Sequence, residues 1–192
     1  MIYPIVVYGH SVLRKVARDI DENFENLEEF IESMFETMND SEGIGLASPQ
    51  VGKDIRLFVV DASPLEEDEP ELKDFRKVFI NPQIVERKGE KSNFNEGCLS
   101  IPNIREEVIR EPEIRIQYYD EDFKFYDEIY QGVASRIIQH EYDHLDGILF
   151  TDKVSPIKKR LLRGKLQAIS KGRFEVSYKT KLPNNKILFP RK

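Results

Sequence analysis

Residues 140–144 read His-Glu-Tyr-Asp-His. On a helix, two histidines at i and i+4 project from one face about one turn apart, so both imidazoles reach one divalent metal ion. Glu141 then lies beside the metal rather than on it, where a carboxylate can carry a proton. A catalytic site of this kind needs one more protein ligand and one open position. In the common metallopeptidase pattern the third ligand lies just downstream, but the residues after His144 are LDGILFTDKVS, with no further His or Cys. Asp146 and Asp152 are available there. The better candidate is upstream, Cys98 in EGCLS at residues 96–100. A lone cysteine is more often a small buried apolar residue than a ligand. This one stands between Gly97 and a polar flank, at what reads as a loop or strand end.

The motif needs a helix, and residues 133–145 supply one, with Val133, Ile137, Ile138 and Leu145 on its apolar side and Gly147 as its stop. Being short and apolar on one side, this helix is expected to be central. A stronger amphipathic pattern covers residues 26–40, where Leu27, Phe30, Ile31, Met34, Phe35 and Met38 recur at helical spacing and read as core. The segment 41–52, SEGIGLASPQVG, carries three glycines and a proline and is expected to be irregular and extended. Strands are expected at 55–61, 78–86, 105–110, 113–119 and 123–130, spaced like an antiparallel sheet. Between the first two, residues 62–77 hold the acids Glu66, Glu67, Asp68, Glu69, Glu71 and Asp74, which read as a solvated loop. A third helix, 157–170, is expected to place Ile157, Leu161, Leu162, Leu166 and Ile169 on one side, with Lys158, Lys159, Arg160, Arg163 and Lys165 elsewhere. Strands flanked by helices without regular βαβ alternation give an α+β fold: one domain over 1–192, mixed or antiparallel sheets around the helix that carries the motif, and a basic C-terminal segment from about 153.

Length and composition agree with that. The chain has 192 residues, of which 40% are hydrophobic and 33% charged, enough for one core of useful size. A mean hydropathy of -0.51, with no apolar run near the roughly 18 residues that cross a bilayer, excludes a helical membrane protein. Residues 1–10 lack a basic leader and a small-residue cleavage site and contain Pro4, so they do not read as a signal peptide, and a cytoplasmic location is expected. With one cysteine no intramolecular disulfide forms, which fits a reducing compartment. The net charge of -6 conceals an asymmetry. Residues 153–192 carry 13 Lys and Arg against the single acid Glu175, while residues 1–152 carry 16 basic and 34 acidic groups.

Three short segments in order, GIGLASPQ (43–50), EGCLS (96–100) and QHEYDHLDG (139–147), resemble the three signature motifs of the peptide deformylase family. The resemblance spans essentially the whole chain. Ser48 departs from the alanine more usual at that point, a small-for-small change, and the acidic stretch 66–74 is longer than the family leads one to expect. The resemblance implies that Cys98, His140 and His144 bind the metal with a water completing a tetrahedral site, that Glu141 is the catalytic acid/base, and that the Gln50 amide and the Leu99 backbone N–H stabilise the oxyanion. The implied reaction is hydrolysis of the N-formyl group from the N-terminal methionine of new polypeptides, with release of formate. The physical chemistry agrees. A divalent cation lowers the pKa of its water from about 15.7 toward 7, and Glu141 takes the proton during attack on the formyl carbon and delivers it to the leaving nitrogen. Affinity order alone favours Zn2+ over Fe2+ for a thiolate and two imidazoles. The family implies Fe2+ in the cell, with Zn2+, Ni2+ or Co2+ able to occupy purified protein.

Gly43, Gly45 and Gly97 leave backbone uncovered, so a substrate N-terminus is expected to add as an extended strand held by main-chain hydrogen bonds. Ile44, Val133 and Ile137 are candidates for the methionine pocket, with Arg136 at its mouth. Glu96, Arg105, Arg110 and Asp143 are candidates for ion pairs that orient the ligands. Partners are then N-formylmethionyl nascent chains and, through the basic C-terminal segment, the ribosome, with no membrane and no DNA. The alternatives are a zinc metallopeptidase or other amidase using the same helix, and a non-catalytic ribosome- or RNA-binding protein.

Overall fold

Phe30, Ile31, Met34, Phe35 and Met38 form the buried stripe of α1 (Leu27–Asp40) in the computed structural model, which describes residues 1–190. Arg191 and Lys192, the last two cations of the basic segment, lie outside the described residues. The strand following α1 is short, β2 (Gly45–Ala47), and passes directly into a 3-10 turn at Ser48–Val51, as expected of a stretch rich in Gly and Pro. β2 opens a five-stranded antiparallel sheet that continues with β3 (Leu57–Asp61), β4 (Arg76–Lys88), β7 (Glu113–Tyr119) and β8 (Phe125–Gln131), in that spatial order. β4 is longer than its pattern suggests and slips register around Pro82, which lacks the N–H a regular ladder needs.

Alternation along β3 decides what each face of the sheet meets. Phe58 and Val60 pack with Ala134, Ile137, Ile138 and Leu145 of α2 (Gly132–Leu145), whereas Leu57 and Val59 pack with the stripe of α1. The sheet is thus sandwiched between two helices. α2 is central, as its sequence suggests, and most of its polar residues are buried as well as its apolar ones.

A separate hairpin, β5 (Ser92–Cys98) with β6 (Ile101–Arg110), turns through Leu99 and Ser100. The polar run SNFNEG hides β5 from pattern reading, since Phe94 is its only large apolar residue. Three more strands also went unsignalled because each is two residues long: β1 (Ile5–Val6), β9 (Thr180–Lys181) and β10 (Ile187–Leu188). β1 pairs parallel with β9, and β10 pairs antiparallel with β9, so the two ends of the chain share one sheet. The architecture is α+β with mixed and antiparallel sheets around α2, as expected.

One expectation is corrected here. α3 (Pro156–Ser170), started by the Ser155 cap and Pro156, buries Leu162, Leu166 and Ile169, but Ile157 and Leu161 are 75% and 74% exposed. These two lie a turn apart at the helix start, on the side turned away from the hydrophobic cluster of β6 and Phe150. The acidic stretch is solvated, as expected, but it has local structure. It forms two 3-10 turns, Ser63–Leu65 and Pro70–Leu72, pinned by Leu72 in the core, with Glu66, Glu67, Asp68, Glu71 and Asp74 exposed and Glu69 half-buried.

Candidate metal centre

α2 carries His140, Glu141 and His144 into the space between the sheet and the β5–β6 hairpin, all three buried. The hairpin register breaks after Gly97, where Gly97 faces Arg105 but Cys98 faces Ile101, so that residues 102–104 of β6 are left without partners on β5 as Cys98 enters the cluster. Cys98 Sγ lies 3.3 Å from His144 Nε2, and the ligand atoms of Cys98, His140 and His144 all lie within 4.8 Å of one another. The other proposed third ligands point elsewhere. Asp146 is held by Arg56 at 2.7 Å, and Asp152 is held by Arg14 and the Leu149 N–H.

A buried pair of imidazoles needs fixed orientations. His140 Nδ1 is 2.9 Å from Glu96 Oε2, and because an ionised carboxylate only accepts, Nδ1 carries the proton and Nε2 is left for the cluster. Arg110 grips both oxygens of Glu96, at 2.6 and 2.9 Å, and reaches Asp143 Oδ2 at 2.7 Å, the same oxygen that Lys153 meets at 3.0 Å. Glu96, Arg110 and Asp143 therefore do form the expected buried ion network. Arg105 does not join it, bonding instead to the Asn95 carbonyl across Gly97. Burial opposes the charge on Glu96, but Arg110 and His140 outweigh it and hold the carboxyl down at about 2.

Burial drives His144 well below the ordinary imidazole range, helped by His140 and Arg110, and its buried Nδ1 has no partner. Burial opposes a charge on His140 too, but the contacts with Cys98 and Glu96 outweigh it and raise that group. A cysteine sulfur and two imidazoles brought this close are a donor set that suits a borderline divalent metal. The residues fit such an ion.

Glu141 sits on the next position of the helix, against Gly45. A Cβ built on Gly45 would lie 2.5 Å from Glu141 Oε1, so only glycine lets β2 approach the carboxylate. Burial pushes Glu141 up to about 7, with Glu96 and Asp143 adding to the effect against the pull of His140, and Oε2 has no hydrogen-bond partner. Gln50, on the 3-10 turn after β2, accepts from the Ala47 N–H at 2.7 Å through Oε1, which turns its Nε2 toward Cys98 Sγ at 3.5 Å. Leu99 follows Cys98 in the turn, packed over Gly43, where a Cβ would lie 2.8 Å from Leu99 Cδ1.

These residues floor a cleft of about 690 Å³. Ile44, Gly45, Gly97 and Ile137 line it, with Arg105 and Arg136. Val133 is not among the lining residues and packs half-buried between α2 and the sheet. Leu65, Phe94 and Tyr178 line the cleft without having been singled out in the sequence. Leu65 lay inside the acidic stretch, Phe94 on the unsignalled β5, and Tyr178 in the basic segment, and no motif marks any of them.

The family model described as polypeptide deformylase matches residues 2–160. A peptide deformylase of Christiangramia forsetii is 53% identical over 97% of this chain and 98% of its own length. One of Flavobacterium johnsoniae is 50% identical over 94% of this chain and 96% of its own. Among solved structures, a peptide deformylase from Legionella pneumophila superposes with a TM-score of 0.78 at 35% identity, covering 90% of this chain and 98% of that one. The enzyme from Thermotoga maritima gives 0.73 at 40% identity, over 81% and 99%.

Proposed function

The chain belongs to the polypeptide deformylase family, whose enzymes remove the N-formyl group from new polypeptides, and we propose that Cys98, His140 and His144 hold the divalent metal for that hydrolysis. The convergence of those three side chains beneath the cleft carries the reading. When bound there, the metal supplies Lewis-acid activation of a water at neutral pH.

The chain's own residues do the rest. The Glu141 carboxylate, buried beside the ligands with Oε2 unpartnered, takes the proton of the attacking water and passes it to the leaving amine nitrogen. The Gln50 Nε2 amide and the Leu99 N–H stabilise the charge that develops on the formyl oxygen, each worth roughly 3 kcal/mol in the transition state. The backbone of Gly43, Gly45 and Gly97 along the cleft takes the substrate as an added strand, and Ile44 and Ile137 receive the methionine side chain. Fe2+ is the ion we assign in the cell, which makes the site sensitive to oxidation at the metal and at the Cys98 thiolate. Formate release from formyl-Met-Ala-Ser, with none of the acetyl analogue cleaved, is the expected result. Cys98→Ser should lose both the metal and the activity. Cleavage of internal peptide bonds without formate would favour a peptidase.

The single domain over 1–192 ends in a basic segment, to which we assign ribosome docking, in the cytoplasm. Lys159, Arg160 and Arg163 are exposed on α3 beside the exposed Ile157 and Leu161, an arrangement that suits phosphate contacts. Among the described residues no helix is long and apolar enough to cross a membrane. Neutralising those three cations should weaken ribosome co-sedimentation, most at low salt, and leave tripeptide turnover unchanged. Undiminished co-sedimentation would rule this docking out.

A further inference from the structure

The turn that carries Leu99 is gripped from outside the hairpin by both ends of the chain. The Tyr178 hydroxyl donates to the Leu99 carbonyl at 2.8 Å. The Tyr8 N–H donates to the next carbonyl, Ser100, also at 2.8 Å. The Asn103 side-chain amide reaches back to the Glu175 carbonyl at 3.2 Å. Tyr8 and Tyr178 are themselves joined through the terminal sheet, where Ile5 N–H meets Lys179 C=O at 2.9 Å and Val7 N–H meets Lys181 C=O at 3.0 Å. Tyr178 is only 7% exposed and packs in the core over α1, so its hydroxyl has little freedom to point elsewhere. It also lies well beyond residue 160, where the match to the family model ends.

We propose that the terminal sheet is a clamp on the Leu99 turn, and that the Tyr178 hydroxyl is a positioning group for the Leu99 N–H in catalysis. A two-residue turn has few internal hydrogen bonds to hold its peptides, and an oxyanion donor is effective only when its N–H is aimed within about 0.5 Å of the developing charge. With the Leu99 side chain seated on Gly43 and its carbonyl tied to Tyr178, the residue is fixed at two points, and the peptide between Cys98 and Leu99 inherits that orientation. The C-terminal segment thereby acts in the active site without touching the substrate's reacting atoms.

This inference rests on the Leu99 reading above, so its test includes a measurement that does not depend on turnover. Tyr178→Phe removes the hydroxyl and keeps the ring. In the metal-loaded protein, kcat for formyl-Met-Ala-Ser should fall about ten-fold with KM within about two-fold, and the metal content should be unchanged. Hydrogen exchange should quicken in residues 96–101 and stay unchanged in α2. Ile116→Val, which costs stability in the core of the main sheet and leaves the clamp intact, should lower the Tm and leave kcat alone. The clamp is overturned if exchange in 96–101 does not change, if the loss lies in KM or metal content, or if Ile116→Val loses kcat to the same degree. Faster exchange with wild-type kcat overturns the catalytic role given to the clamp.

Discussion

Glu141 sits in a space that only a glycine leaves open. With a Gly45 Cβ falling 2.5 Å from Oε1, Gly45→Ala must displace either β2 or the carboxylate. We expect kcat to fall by about 10²-fold, since proton transfer tolerates little misplacement, while metal analysis shows the ion retained; an alanine variant with wild-type kcat would contradict this geometry. Residues whose types carry chemistry were legible at this scale. His140, Glu141 and His144 stand out by type and by a 140–144 spacing that means one helix face, whereas Cys98 was drawn in by its setting after Gly97 and by the resemblance; the fold brings Cys98, His140 and His144 together. Leu65, Phe94 and Tyr178 do not declare themselves. Each is an ordinary apolar or aromatic residue whose role comes from a contact with residues distant in sequence.

Among the elements, α2 shows how the site reconciles burial with polarity. It buries Ser135, Arg136, Gln139 and Asp143 as well as the motif, and partners arrive from other segments: Ser92 for Arg136, the Glu111 carbonyl for Gln139, and Arg110 with Lys153 for Asp143. Helical periodicity predicted both α1 and α2 because a helix meeting a sheet must show an apolar stripe. The same rule overreached on α3. Ile157 and Leu161 continue the apolar pattern, yet nothing in the described residues covers them. Leu166→Ala should therefore cost about 2–5 kcal/mol in urea unfolding, whereas Leu161→Ala should stay within about 0.5 kcal/mol. Equal losses would mean that Leu161 is covered in the native protein. β5 was illegible for the converse reason. Its partner is a single strand, and its residues serve the cleft and the ion network rather than a sheet core.

In the molecule as a whole, an acidic body and a basic C-terminal segment were plain from composition, and the α+β class from the order of the expected strands and helices. The closing of the fold by its two termini was not, because two-residue strands leave no pattern to read. At the far edge of the main sheet, Tyr118 and Tyr130 both bond to Glu128 and to each other. Burial, with the Glu128 carboxylate beside them, raises both phenols above their ordinary value. Above the unfolded value of about 10 the folded state then holds more protons than the unfolded one, so stability that is complete below that pH is lost as the pH rises further. Phenolate absorbance should show these two of the eight tyrosines ionising only as secondary structure is lost; smooth titration of all eight in folded protein would contradict it. The central claim, a metal site in which Glu141 moves the proton, is tested most directly by anaerobic purification of the wild type and Glu141→Ala, with metal analysis and formate release on formyl-Met-Ala-Ser. Both proteins should carry the ion, and the variant should lose about 10²- to 10⁴-fold in kcat; a Glu141→Ala protein that turns over like the wild type, or a wild type that binds no metal, would contradict the account.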